Sequence, residues 1–484
     1  MTSRTTLAIA LVLVVATSPG CGTGQGDPPT TTSLLFTGDL ILGRGVAPVV
    51  AANADEIFSG IRHIVSEADI AMVNLESPLT RRPHSSANPF AFEADPAGAG
   101  LISSAGFDVV NLANNHAGDA GPASITDTID AVRGAGMSVV GAGADSSTAS
   151  APLILEREGI RVAVLAIDAT GDGLEAGDGP GVVHWDPATI RRSVEHAAAI
   201  SDILVVSLHG GVEYLPDPDP RMTQIAGQLV EWGADVVWGH GPHVRQIVSV
   251  IDAGGRAAIV APSLGNLLFD QRDPETEVGS VLEVLAGPDG IVGYRVGTAS
   301  HHDLRVGFSG WTPPVGNAFL RDGEWWSLVA EPLFGPSDVV IGDFPWGDVV
   351  AAGAGHVTGG ARDEIVVSFR KPATPHPVRD GLPEVLWRDP LGRTAHLGIY
   401  QADDLSPIWV AGMVPAPVGA LAVCDGSLSM AYTSLDDPTV IATGAAVWRP
   451  GGLDAVDRLP GHGVPGCFDV DRDGALDPVV VGRG

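Results

Sequence analysis

The sequence predicts an α/β domain followed by an all-β module. From about residue 33 to 310, short apolar runs alternate with segments of helical spacing, which implies βαβ units and a central sheet clothed by helices. Four of the apolar runs end in chemistry-bearing side chains: Asp39 after Leu34-Leu35-Phe36, Asn114-Asn115-His116 after Val109–Leu112, His209 after Ile203–Leu208, and His240 after Val236–Trp238. Strands of open α/β folds deliver ligands at their carboxyl ends. Beyond residue 311 no helical period persists, and short apolar runs are broken by Gly, Pro and Asp.

Each element follows from its local pattern. Leu34–Phe36 reads as a strand, and a Gly-rich loop runs through Gly43 and Gly45. Ile57–Ala68 has helical spacing and precedes the strand Ile70–Asn74. Ala97–Ala105 and Ile125–Gly134 read as helices leading to strands Val109–Leu112 and Met137–Gly141. Val162–Ile167 is a strongly apolar strand. Helices Ile190–Ile200 and Met222–Trp232 precede strands Ile203–Leu208 and Val236–Trp238, and Ala257–Val260 is one more strand. Val281–Leu285, Val292–Val296 and Arg305–Phe308 look like closing strands without helices, forming an antiparallel edge.

A chain of 484 residues favours two or three domains, and 45% hydrophobic content excludes wholesale disorder. The net charge of −31 argues against sequence-independent nucleic-acid binding and against charge-driven adhesion to anionic lipid. Lys371 is the only lysine; GC-rich coding or a salt-adapted acidic surface would each account for that. Cys21, Cys424 and Cys467 show no C-x-x-C spacing, so a zinc-thiolate site is not expected. Cys424 and Cys467 could pair in an oxidising compartment.

The first 21 residues carry Arg4 and then the apolar run Leu7–Ala16, too short for an ordinary spanning helix. Ser18, Pro19 and Gly20 lead to Cys21, and the pattern resembles a bacterial lipoprotein signal whose cysteine is acylated after cleavage. Lipidation of Cys21 would hold the protein at the extracytoplasmic face of the membrane. A plain secretory signal cut near Ala16 would release it. Residues 22–32 then form a flexible tether.

The chemistry of the first domain sits at strand ends: Asp39, Asn74 with Glu76, Asn115 with His116, His209, and His240 with His243. Carboxylates, amide oxygens and imidazoles suit Mn, Fe, Zn or Ca-like divalent ions. Asp39 or Glu76 could bridge two cations, an arrangement that acidifies water and clamps both oxygens of a phosphoryl displacement. Each residue also has a plainer role open to it, as a turn former, a cap or a hydrogen-bonded structural histidine. It is the coincidence of five clusters at equivalent positions that favours metal. Asp119 could orient His116, Arg44 could bind a phosphate or carboxylate oxygen or form a surface ion pair, and Glu213 could act as general base, steer a substrate amine or remain a solvated charge. Asn266 and Asp270 read as fixing loop geometry near the site.

Taken in order, Thr37-Gly38-Asp39 with Arg44, Asn74-Leu75-Glu76, Asn114-Asn115-His116, His209-Gly210-Gly211-Val212-Glu213-Tyr214, Gly239-His240-Gly241-Pro242-His243 and Ser263–Asp270 form one series. Over residues 33–310 the chain resembles the CapA capsule-synthesis family, poly-gamma-glutamate synthesis proteins related to calcineurin-like metallophosphoesterases. The resemblance implies a four-layer α/β sandwich and a dinuclear centre with Asp39, Glu76, Asn115, His116, His209, His240 and His243 as ligands or close neighbours. The sequence departs from the wider phosphoesterase pattern in two places: Leu40-Ile41 follow Asp39 where Asp-x-His is usual, and His240-x-x-His243 replaces His-x-His.

Pro313-Pro314 and Gly316 mark a linker over 311–330, and 331–484 reads as the β module. Asp469-Val470-Asp471-Arg472-Asp473-Gly474, with Asp477, places carboxylates at alternate positions before a glycine turn, as a hard cation requires. This stretch resembles the FG-GAP repeats of β-propellers, in which Asp469, Asp471, Asp473 and Asp477 would bind calcium. A plain acidic turn is the other reading.

Two functions follow. The first is an exported capsule-synthesis protein with a metal-dependent hydrolase site for an envelope phosphoester or amide substrate, in which His116 or His209 stabilises the leaving group. The second is a non-catalytic module that holds polymer or sugar on a degenerate metal site.

Overall fold

The computed structural model describes residues 31–83 and 91–314 and, beyond them, the strands between 318 and 482. The signal, the tether and Cys21 lie outside the described residues. The first half of the domain runs β1 (Thr32–Leu40), α1 (Ala47–Asn53), α2 (Arg62–Glu67), β2 (Ile70–Leu75), α3 (Gly98–Ala105), β3 (Val109–Asn111), α4 (Pro122–Gly134), β4 (Ser138–Val140), β5 (Ala142–Gly143) and α5 (Ser146–Ala149). The second half runs β6 (Leu153–Arg157), β7 (Ile160–Asp168), β8 (Gly181–Val182), α6 (Pro187–Ile200), β9 (Ile203–His209), α7 (Pro220–Trp232), β10 (Val236–His240), β11 (Ser249–Asp252) and β12 (Ala257–Ala261). After them come β13 (Asn266–Leu268), β14 (Val278–Gly287), β15 (Gly290–Ser300) and β16 (Gly307–Trp311).

These strands form two large sheets, not one. In the first, β1, β2, β3 and β4 are parallel neighbours, and β14 and then β15 continue it antiparallel on the far side of β1. In the second the order is β11-β12-β10-β9-β7-β6, with β12, β10, β9 and β7 parallel and both edge strands antiparallel. Side chains alternate across each strand, and that alternation sorts them into layers. Leu34, Phe36, Met72 and Val109 meet Val162, Val164, Val205 and Trp238 in the core between the sheets. Leu35, Val73 and Val110 face outward onto Ile64, Ile102 and Ile125 of α2, α3 and α4. Leu165, Leu204 and Val206 face outward onto Ile190 and Ile225 of α6 and α7. The order of layers is therefore helices, sheet, sheet, helices.

Three sequence readings change. The central sheet read from the strand–helix alternation is two sheets, in keeping with the four-layer sandwich that the resemblance implied; a strand buried on both faces does not by itself reveal which sheet it joins. The expected antiparallel edge is interior: β14 lies between β1 and β15. The expected linker over 311–330 contains β17 (Ala318–Arg321) and β18 (Glu324–Leu328), and β18 pairs with β15 in the first sheet. The prolines that suggested a linker sit between strands. Trp326 and Leu328 pack on Leu285 and Val292, and the Arg295 guanidinium lies 4.0 Å from the Trp311 ring and 4.3 Å from that of Trp326.

Beyond 329 every described segment is a strand. Strands 348–355, 364–372, 393–401 and 407–410 form one antiparallel sheet, and 418–424, 427–433, 440–449 and 452–460 form another. The closing hairpin, 463–468 with 477–482, pairs with β17 and so joins the first sheet. Asp469, Asp471 and Asp473 lie outside the described residues, and Asp477 opens the last strand.

Phe36 lies fully buried between the sheets, 5.6 Å from the Trp238 ring. Phe36→Ala should lower unfolding free energy by about 3–5 kcal/mol in a denaturant titration. Ile247→Ala, at a residue 82% exposed, should change it by less than about 0.5 kcal/mol.

Candidate metal centre

The carboxyl ends of the two parallel sheets meet at one place. Trp238 Nε1 donates across the interface to the Thr37 carbonyl at 2.9 Å, tying β10 to β1. β1 delivers Asp39, β2 delivers Asn74 with Glu76 just after it, β9 ends in His209 and β10 ends in His240. The loop after β10 adds His243, the loop after β3 adds Asn115 and His116, and β13 opens on Asn266.

Asp39 is fully buried at the middle of this group. Its Oδ1 accepts from Asn74 Nδ2 at 2.9 Å and lies 2.8 Å from His240 Nδ1; its Oδ2 lies 3.1 Å from His243 Nδ1. Burial alone would raise its carboxyl, but hydrogen bonds from His240 and His243, with their charge, hold it well below the usual carboxylate range. Glu76 is the opposite case: burial, then the negative charge of Asp39, pushes it well above its usual range. Glu76 Oε1 accepts from Asn74 Nδ2 at 3.0 Å and lies 3.8 Å from His209 Nδ1. Burial pushes the His209 imidazole down to about 3. With its Nε2 hydrogen given to Asn115 Oδ1 at 3.0 Å, Nδ1 keeps a lone pair on the side of the two carboxylates.

Asn74 sets this arrangement. Its Oδ1 accepts from Asn111 Nδ2 at 2.9 Å and Asn114 Nδ2 at 3.2 Å, which fixes the amide so that Nδ2 faces both carboxylates. Backbone geometry completes the loops. A Cβ on Gly38 would stand 1.9 Å from the Gly265 carbonyl, and Gly241 adopts φ +111 against the Gly210 carbonyl. His243 itself is left-handed, with φ 59, a strained conformation for a non-glycine residue. That turn brings both members of the His240-x-x-His243 pair to one carboxylate.

Asp39, Glu76 and His209 each offer a donor atom within 4.8 Å of the others, and all three are buried. Glu76 Oε2 and His240 Nε2 are also buried and have no hydrogen-bond partner. A lone pair left so costs free energy unless a ligand takes it. These atoms, with amide oxygens nearby, fit a hard-to-borderline divalent ion such as Mn, Fe or Zn.

The remaining candidates separate. His116 is not among the three converging donors; its Nδ1 lies 3.0 Å from Asp119 Oδ2 and its ring stacks on Phe92 at 3.9 Å. Arg44, for which the sequence left a substrate oxygen or an ion pair open, takes the ion pair, with Asp270 at 3.0 Å, and lies over the Phe92 ring. Asn266 holds His243, Oδ1 to Nδ1 at 3.0 Å. Glu213 lines a cavity of about 370 Å³ that opens beside the centre, with Asn115, His209, Asp219, Arg221 and His243. Sequence reasoning gave Asn111 no role, although it ends a strand beside Asn74, and it did not select Arg221, although a cation in the first turn of a helix is unusual.

Two outcomes follow. Asn74→Ala should weaken Mn²⁺ binding about 10–100-fold in calorimetric titration, because the carboxylates lose their orienting donor. In chelated protein the folded His209 value lies below the unfolded value of 6.5, so its contribution is full above pH 6.5 and is lost as pH falls toward 3. Glu76 is raised, so its contribution is full below the unfolded value and is lost as pH rises through the folded one. His209→Gln should therefore flatten the acid-side fall in stability measured by denaturation at successive pH values, and Glu76→Gln should steepen it.

Residues 33–271 match the model of a family described as bacterial capsule synthesis protein PGA_cap. The PGA biosynthesis protein CapA of Bacillus subtilis (strain 168) is 30% identical over 277 residues, which cover 56% of this chain and 72% of that protein. The capsule biosynthesis protein CapA of Bacillus anthracis is 30% identical over 262 residues, covering 52% of this chain and 63% of that protein. A probable polyglutamine synthesis accessory protein of Mycobacterium tuberculosis (strain ATCC 25618 / H37Rv) is 31% identical over 191 residues, covering 36% and 50%. The chain belongs to the bacterial capsule synthesis protein PGA_cap family.

Proposed function

We propose that this protein is a metal-dependent hydrolase of the metallophosphoesterase type, acting at the cell envelope in the synthesis of an anionic surface polymer such as poly-gamma-glutamate. The observation that carries this reading is the buried Asp39–Glu76–His209 set together with the partnerless Glu76 Oε2 and His240 Nε2. The names of the CapA relatives support the polymer. Acylation of Cys21 would anchor the chain outside the membrane, and the β module, with Asp469, Asp471, Asp473 and Asp477 as calcium ligands, would supply adhesion to the cell surface.

The chain's own residues would divide the work. Asp39, Glu76, His209, His240 and His243 would hold one or two cations. A divalent cation there supplies Lewis acidity, which polarises a phosphoryl or carbonyl oxygen and acidifies water. Asn74 keeps both carboxylates turned inward. With its Nδ1 hydrogen on Asp119, His116 presents Nε2 as the atom that exchanges a proton with the leaving group. Glu213, on the cavity wall, takes a proton from the attacking water.

Wild-type protein with Mn²⁺ should hydrolyse a phosphodiester such as bis-p-nitrophenyl phosphate, or a gamma-glutamyl amide, and EDTA should abolish turnover. Asp39→Asn should lower kcat/KM at least about 100-fold, the scale of losing one electrostatic stabiliser. Equal turnover with and without metal would refute the reading.

A further inference from the structure

The cavity beside the centre is lined by one guanidinium, that of Arg221. Arg221 stands in the first turn of α7, where the positive end of the helix dipole disfavours it. Asp219 caps that helix by accepting from the Arg221 and Met222 backbone N–H groups at 2.8 and 3.0 Å. The guanidinium reaches away and donates Nη1 to the Ala169 carbonyl at 2.8 Å. Ala169 follows the tip of β7, and its own N–H donates to the His209 carbonyl at 2.7 Å. One residue, Ala169, therefore separates the Arg221 fork from the strand end that carries His209. Arg44 has Asp270 as its partner, whereas Arg221 makes no ion pair among the described residues.

We propose that Arg221 is the residue that recognises a carboxylate on the substrate, and that the cavity takes an acyl or amide substrate bearing a free carboxylate close to the reacting bond. A guanidinium pinned by one N–H keeps others for forked binding of a carboxylate. The same wall carries Asp172, Glu213 and Asp219. Three carboxylates repel a dianion more than a monoanion, so a single carboxylate fits this wall better than a phosphate monoester does. The repeating unit of a gamma-linked polyglutamate presents such a carboxylate beside every amide. The assignment deepens the hydrolase reading and rests on it only for the direction in which the substrate lies.

The test is calorimetric binding to the full chain with Mn²⁺, which needs no turnover. The probes are a gamma-glutamyl trimer, the same trimer with its alpha-carboxylates amidated, and inorganic phosphate. Wild type should bind the trimer at least about tenfold more tightly than Arg221→Ala does, the scale of one charge-assisted hydrogen bond. Arg221→Lys should recover only part of the loss, and the amidated trimer should not distinguish the three proteins. If no turnover is found with any substrate while this binding pattern holds, the carboxylate site stands and the hydrolase reading falls. Equal trimer binding by wild type and Arg221→Ala, no trimer binding by wild type, or Arg221-dependent binding of phosphate alone would each overturn the assignment.

Discussion

Two carboxylates are held close together out of water by one amide, and the rest of the site depends on that arrangement. Asn74 Nδ2 lies 2.9 Å from Asp39 Oδ1 and 3.0 Å from Glu76 Oε1. Like charges at such range in a low-dielectric interior cannot both stay ionised without compensation. The protein divides the problem, with two imidazoles beside Asp39 holding its carboxyl well below the usual range and burial, with the charge of Asp39, pushing that of Glu76 well above it. A cation between them would resolve the conflict by neutralising both carboxylates. The buried, partnerless Glu76 Oε2 is the atom left waiting by this division.

The two-sheet architecture is what makes the amide bridge possible. The carboxylates come from neighbouring parallel strands of one sheet, and the imidazoles of His209 and His240 come from neighbouring parallel strands of the other. The layer between the sheets fixes their separation, and Trp238 joins core and site, since its ring packs on Phe36 and its Nε1 bonds to Thr37. The closing hairpin of the chain pairs with β17, which pairs with β18 and through it with β15. Residues near 480 and residues near 35 are thus parts of one sheet, and the β module is not a bead on a string.

Much of this was legible in the sequence. Apolar runs ending in Asp39, Asn115-His116, His209 and His240 announced which strands carry chemistry, because a polar group at the end of a buried strand needs a reason. The alternation within Leu34-Leu35-Phe36 or Val162-Ala163-Val164 did not announce two sheets. Both faces of those strands are buried, so period-two patterning is silent about the neighbour on each side. Proline and glycine near 313–316 suggested a linker, yet Trp326, which follows them, buries itself on Leu285 and Val292. Arg44 was open to an oxyanion or an ion pair, because nothing local revealed that Asp270, more than two hundred residues away, would claim it. Asn111 passed as an ordinary strand end, since its partner Asn74 is adjacent only across the sheet.

The central claim is that Asp39, Glu76 and His209 converge on one cation. Anomalous diffraction from crystals grown with Mn²⁺ tests it most directly. The account expects a peak at the manganese edge about 2.0–2.2 Å from an oxygen of Asp39 or Glu76, at ordinary coordination distance for such ions. A peak elsewhere in the molecule, or none with these three side chains in the positions described, would contradict it.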